Sequence, residues 1–354
     1  MKAAITAIHY CIPNTRLTNE ELEQRFDPKA LKSIVKMSGI KERRVVRPGQ
    51  TALDLGFVAA ERMLKSRGVQ AATLDLIVFV SQTADYQIPA SACVLHERLK
   101  ASENCAAFDI NLGCSAFPYA LSVVNGMIVS GQARRALLVN ADALTQVIHP
   151  LDRGLVPLHG DGAVATLVEA VPEEHAGLGK FLLGTDGTGY KHLMIPASGA
   201  RCPRSEATKV EIRDESGSVR TDEHLAMNGP AIFHFSIYKV PDVIKAALAK
   251  FGLTLANIDL VLLHQANTMM LEQIYRVLGV PEEKRFFFME QVGNMSGAST
   301  PMVLAEAVRQ GRVRPGSRTL LCSFGVGLSW GVAVIEWPES GIAPVEAPVE
   351  FEQP

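Results

Sequence analysis

The chain repeats itself. Ala72-Thr73-Leu74-Asp75-Leu76-Ile77-Val78-Phe79 recurs in pattern as Ala256-Asn257-Ile258-Asp259-Leu260-Val261-Leu262-Leu263, displaced by 184 positions. Each run follows a helical segment that ends in glycine, Val58 to Gly68 in the first case and Val240 to Gly252 in the second. At a displacement of 183, Asn111, Pro118 and Leu121 fall on Asn294, Pro301 and Leu304, and Arg135, Leu137 and Leu138 fall on Arg318, Leu320 and Leu321. One order of helix, strand, turn, helix and strand is thus kept in both halves, as an ancestral duplication would leave it. Two similar halves must then build two similar cores around equivalent turns.

Within each half, short apolar runs alternate with helical segments, the pattern of parallel strands joined by helices that cover both sheet faces. The runs Asp75 to Val80, Ala136 to Asn140, Ile258 to Leu263 and Thr319 to Cys322 suit buried strands. The expectation is an α/β protein of two halves, 1–172 and 173–354, related by a pseudo-twofold with equivalent turns near the axis. A chain of 354 residues with 47% hydrophobic content has ample material for both. The stretch 184–218, rich in Gly, Ser, Arg and acidic residues, reads as an insertion over the active face or as a solvated connection. The tail 338–354 is rich in Pro and Glu and is expected to be flexible.

The chemistry gathers on equivalent turns. Cys105 to Ile110 reads as a strand and Phe117, Leu121, Val124 and Ile128 share one helical face, so Cys114 stands at a strand-to-helix turn. The free N–H groups of a first helical turn favour thiolate over thiol there, although a small buried residue is the plain reading of such a cysteine. Its repeat partner is the turn Asn294-Met295-Ser296-Gly297-Ala298, which should bring Asn294 close to Cys114. The strand ending at Leu263 delivers His264 at its carboxyl end, where open α/β sheets place ligands. A thiolate can accept an acyl group, and a neutral imidazole beside a carboxamide N–H can hold a carbonyl oxygen on which charge develops. Gly325 to Gly331 could aim a backbone N–H at the acyl carbonyl, or be a merely structural turn.

Other signals are decoys or exclusions. Gly327-Leu328-Ser329-Trp330-Gly331 matches the serine-hydrolase elbow, but Val332 to Ile335 reads as a strand and residues 330–354 hold no Asp or His. Gly160-Asp161-Gly162-Ala163 lacks the rest of a phosphate loop and reads as a hairpin turn. With 35 basic and 37 acidic residues, no footprint for nucleic acid or an anionic membrane is present. Six scattered cysteines form no metal pattern or CxxC pair, and no run reaches the roughly 18 apolar residues of a membrane span. A cytoplasmic protein with reduced thiols, no metal and no cofactor is expected.

Taken together, Cys114 after Asp109-Ile110-Asn111, Asp152-Arg153-Gly154, Gly160-Asp161-Gly162-Ala163, His264-Gln265-Ala266-Asn267, Gly293-Asn294 and Phe324 to Gly331 resemble the β-ketoacyl-ACP synthase III family from Ile8 to about Trp337. The resemblance implies a thiolase-like fold of five α-β-α-β-α layers, a homodimer, and a catalytic triad of Cys114, His264 and Asn294. It implies an acyltransferase without cofactor in which the cysteine takes an acyl group from an acyl-CoA or acyl-ACP. Malonyl-ACP or malonyl-CoA then enters, His264 and Asn294 support its decarboxylation, and the carbanion attacks the thioester. Asn267, Arg153, Val326, Gly327, Ile88 and His159 are the implied substrate-binding positions, with acyl carrier protein as partner.

The chain also departs from that pattern. Ser33 and Met37 stand where initiating members carry a Trp and an Arg that clamp the CoA adenine, leaving only Arg153. Thr268 and Met269 follow His264-Gln265-Ala266-Asn267 where a carrier-docking Arg is frequent, and Val326 replaces a glycine. Ile88 and His159 each stand where Phe is common, Ile88 at a position that shapes the partner subunit's acyl pocket. These departures suggest a specialised relative, in secondary metabolism or polysaccharide decoration, within fatty acid or polyketide biosynthesis broadly. Two other readings compete: an acyltransferase that passes the acyl group to an O, N or S acceptor without decarboxylation, and a scaffold subunit paired with an active homologue.

Overall fold

The computed structural model describes residues 1–339, 342, 343, 345 and 349–351. Two sheets carry the fold. In the first, Leu76–Val80 lies between the parallel strands Ala106–Ile110 and Arg135–Asp142, followed by antiparallel Gly162–Val171 and Lys2–Pro13. In the second, Leu260–Leu263 runs parallel to Arg318–Gly325, followed by antiparallel Ser329–Glu336 and Lys180–Thr185. Four strands therefore recur in the same order. The repeat extends to single hydrogen bonds: Asp75 and Asp259 each donate their N–H to an arginine carbonyl, Arg135 and Arg318, and each carboxylate accepts that arginine's N–H in return.

Alternation along the strands builds the layers, because successive side chains leave a strand on opposite faces. Leu76, Val78 and Val80 face the buried helices Ala116–Val129 and Ser299–Arg309, whereas Ile77 and Phe79 face the helix Ala52–Ser66 on the other side. Leu260 and Leu262 meet the same central helices, whereas Val261 and Leu263 face Gly229–Phe251 and Thr268–Leu278. The result is the expected α-β-α-β-α stack of a thiolase-like fold. Its middle layer consists of the two helices that follow the Cys114 and Asn294 turns.

Three local expectations change. Gly160-Asp161-Gly162-Ala163 is no hairpin turn: it enters the strand Gly162–Val171, which the 143–161 connection separates from Arg135–Asp142. The stretch 184–218 holds one 3-10 turn, Gly187–His192, and the short strands Leu193–Met194 and Ile212–Arg213, which pair with Ala226–Met227 and Val219–Arg220 just beyond it, so it is a structured excursion. Of the tail read as flexible, Val349–Phe351 adds a parallel strand beside Cys11–Pro13, and Trp337 just ahead of it is buried with its indole N–H donating to Thr319. The other tail residues from 340 onward lie outside the described residues, Ile342, Ala343 and Val345 apart. Among the described residues no helix is long and apolar enough to cross a membrane.

Candidate active site

Cys114 sits between the strand Ala106–Ile110 and the helix Ala116–Val129, whose N-cap is Ser115. The cysteine therefore precedes the helix rather than opening it. Phe117, Leu121, Val124 and Ile128 are all buried on the face toward the core, which fixes the helix axis and with it the sulfur. The Ser296 hydroxyl lies 3.8 Å from Sγ, and the Val326 N–H points at the sulfur. Burial raises the thiol above its usual pKa, and these hydrogen bonds only partly offset it. The expected lowering by the helix terminus does not win, so the resting group is a thiol.

The turn Gly325 to Gly327 closes over that sulfur. A Cβ at Gly325 would lie 2.6 Å from the Cys114 Cβ and 3.0 Å from Sγ, and Gly325 and Gly327 take φ of +156° and +136°. Val326 between them is not among the residues with positive φ, so its β-branch is accommodated while its N–H faces Cys114. Gly325→Ala should displace the Cys114 sulfur, and a shift of this size is expected to slow any acylation of that sulfur about 10²-fold in an intact-mass time course. Ser329, the elbow decoy, is 2% exposed and spends its hydroxyl on the Val326 carbonyl and Ser115.

His264 follows its strand directly and is held by its N–H to the Cys322 carbonyl at 2.9 Å and by edge-on contact with Phe324 at 5.7 Å. It is 2% exposed, and burial together with nearby His159 pulls its pKa down to about 3. The ring is neutral at any physiological pH. Asn294 accepts the Ser296 N–H at 3.0 Å and the Ser299 hydroxyl at 3.1 Å through Oδ1, which leaves its NH₂ as the free end. Cys114, His264 and Asn294 all line one cavity of about 450 Å³, walled otherwise by apolar groups such as Phe233, Met227 and Phe324. A second cavity of about 210 Å³ meets it at Cys114 and runs past Leu144, Leu225 and Val326. The sulfur thus stands where two apolar spaces join.

Residues 108–187 match the family model described as 3-oxoacyl-[acyl-carrier-protein (ACP)] synthase III, and residues 248–337 match the model of its C-terminal part. The β-ketoacyl-[acyl-carrier-protein] synthase III of Caldanaerobacter subterraneus subsp. tengcongensis is 36% identical over 327 residues, covering 92% of this chain and 95% of that one. The chain belongs to the synthase III family. A solved 3-oxoacyl-(acyl-carrier-protein) synthase III shares 38% identity with a TM-score of 0.92 over 95% of this chain and all of its own. A 3-oxoacyl-(acyl-carrier protein) synthase from Burkholderia xenovorans LB400 shares 33% identity with a TM-score of 0.90 over 99% and 97%. Membership of the synthase III family makes the chain an enzyme of the acyltransferase class.

The remaining positions implied by likeness to the synthase III family divide. Asn267 lines the larger cavity while its Oδ1 caps the helix Thr268–Leu278 through the Met270 N–H. Val326 lines the smaller cavity and His159 lines both, but Gly327 lines neither. Arg153 is half-buried on a turn outside both cavities. Ile88 is 89% exposed on the 82–90 loop. At the mouth stand Met37 and Met269, whereas Thr268 faces away and donates to the Ser38 carbonyl.

Sequence reasoning missed the supports. Gly160 and Gly293 let two backbones touch, since a Cβ on Gly160 would lie 2.1 Å from the Val292 carbonyl and Gly293 needs φ +80°. There Asn294 donates its N–H to the Leu158 carbonyl and accepts that of Gly160. Buried Asp142 ties the halves together, accepting the Gln82 N–H at 2.8 Å and the Gly297 N–H at 3.0 Å. Its carboxyl is pushed up to about 6 by burial. Gly160 and Gly293 stood inside quoted motifs, but their role needs the partner strand to be known.

The two titrations have opposite consequences. Acylation of the Cys114 sulfur would need a thiolate from a raised thiol and should accelerate as pH rises from 7 to 9, whereas His264 should add no acid limb of its own between pH 5 and 8. Because its folded-state pKa lies below the usual 6.5, the stability His264 contributes is complete above pH 6.5 and is lost progressively as pH falls toward 3. Carbon-13 NMR of labelled histidine should accordingly show a His264 ring that does not titrate from pH 8 to 5. A midpoint near 6.5 would contradict this.

Proposed function

We propose that the chain catalyses a decarboxylative condensation in which an acyl group is first carried on Cys114 and a malonyl thioester then supplies the new two-carbon unit. One observation carries this reading: Cys114, His264 and Asn294 line the same cavity. In the first half-reaction the Cys114 thiolate attacks an acyl thioester, and the departing thiol leaves through the larger cavity. The N–H of Val326, aimed at the sulfur, and that of Cys114 itself meet the carbonyl oxygen as it becomes negative. In the second, the malonyl thioester carbonyl lies between His264 and the Asn294 NH₂. A neutral imidazole and a carboxamide can donate to the enolate oxygen formed as carbon dioxide leaves, and the carbanion then attacks the Cys114 thioester.

The two spaces suit the two substrates. The larger, mostly apolar, takes a pantetheine arm presented by CoA or by acyl carrier protein, with Asn267 along its wall. The smaller takes the acyl chain. It is bordered by Gln82 and Asn111, both exposed in a single chain, and Ile88 projects from the same 82–90 loop. A homodimer would cover this edge, with Ile88 reaching the neighbouring acyl space. Arg153, outside both cavities, is assigned to the donor's polar end.

Malonyl-ACP labelled in its free carboxyl group tests the reading. Incubated with enzyme and an acyl thioester, it should lose label as carbon dioxide in step with formation of the 3-oxoacyl product. Acyl transfer with no loss of label would instead favour the non-decarboxylating acyltransferase.

A further inference from the structure

The two cavities share only three lining residues, Cys114, His159 and Leu193. His159 is 6% exposed, and its Nδ1 lies 3.0 Å from the Leu155 carbonyl oxygen. A carbonyl can only accept, so Nδ1 carries the proton and Nε2 keeps a lone pair. Burial lowers the imidazole's pKa, which keeps the ring neutral and this tautomer in place. No donor among the described residues meets Nε2. The smaller cavity that His159 lines is mostly apolar, with Leu144, Val147, Ile195, Leu225 and Val326 along the wall beside the polar Gln82, Asn111 and Ser296. An acceptor that borders a cavity and meets no protein donor is open to a donor on a bound ligand.

We propose that His159 selects acyl groups that carry a hydroxyl on one of the carbons nearest the thioester, the hydroxyl donating to Nε2. This rests on the reading that Cys114 carries the acyl group. Cys114 and His159 both stand where the two cavities meet, so a substituent reaching His159 is assigned to the first carbons of the chain and not to its end. The chemistry of Nε2 narrows the class further. A keto group or carboxylate has no proton to offer, and an ammonium would be desolvated against an apolar wall at greater cost. A hydroxyl fits both the acceptor and the apolar surroundings.

The test compares butyryl, 2-hydroxybutyryl and 3-hydroxybutyryl pantetheine thioesters, which share one arm and one chain length, by intact-mass time courses of Cys114 loading. The wild-type enzyme should load one of the hydroxyacyl groups about tenfold or more faster than butyryl, the kind of discrimination a hydrogen-bonding site exerts. In His159→Phe and His159→Leu that ratio should fall to near or below one. The ratio is the readout, so a general loss of rate in a variant does not count, and unchanged thermal unfolding shows that each variant is folded. Equal loading of the three groups by wild type, or a preference that survives both substitutions, overturns the proposal. Loading of none of them counts against the acyl-enzyme itself.

Discussion

Cys114→Ala is expected to form no acyl-enzyme with any thioester and to lose condensation by about 10⁴-fold or more, because among the described residues no other cysteine lines either cavity. Among the remaining cysteines, Cys322 and Cys11 are buried with thiols raised by desolvation. Neither lines either cavity, so neither can substitute. Serine is the sharper replacement, since it keeps the volume and tests the sulfur alone. Intact-mass measurement after exposure to a panel of acyl-CoAs and acyl-ACPs reads the result, and a variant that still gained an acyl mass would place the nucleophile elsewhere.

His264→Ala is expected to separate the half-reactions. Loading at Cys114 relies on the sulfur and on the N–H of Val326, neither of which the substitution touches. Decarboxylation relies on the donor that meets the enolate oxygen, and removal of such a donor from a water-poor site costs about 10²- to 10³-fold. The variant should therefore accumulate acyl-enzyme that malonyl-ACP discharges slowly or not at all. Equal losses in both half-reactions would mean that His264 serves as the base for Cys114, a role its depressed pKa of about 3 makes inefficient.

The fold was legible from the chain because duplication leaves a double record. The pair Asp75 and Asp259 marked equivalent strand starts, and in the structure each carboxylate accepts the N–H of its matching arginine. The same displacement set Asn294 opposite the Cys114 turn, and Ser296, two residues on, proves to touch the sulfur. Side-chain type and position were enough for that. Ionisation was not legible, because the pKa of Cys114 depends on how deeply the two halves bury it, and no local sequence reports that depth. Close backbone approaches were hidden for a similar reason. Gly160 and Gly293 sit 133 positions apart, and only the assembled halves show that a Cβ on either would collide with the backbone beside the other. The tail misled in the opposite sense, since its composition hid the sheet edge onto which Val349–Phe351 folds.

The most direct measurement follows one molecule of acyl-enzyme to its product. Enzyme loaded at Cys114 with a single acyl group and freed of excess donor is mixed with one equivalent of malonyl-ACP, and the masses of both proteins are recorded through a single turnover. The expected result is that Cys114 returns to its unmodified mass as the carrier gains the acyl group and loses carbon dioxide, becoming 3-oxoacyl-ACP. If the acyl group leaves Cys114 while the malonyl group remains intact, or if the acyl-enzyme persists beside unaltered malonyl-ACP, the three side chains in this cavity do not form a condensing site.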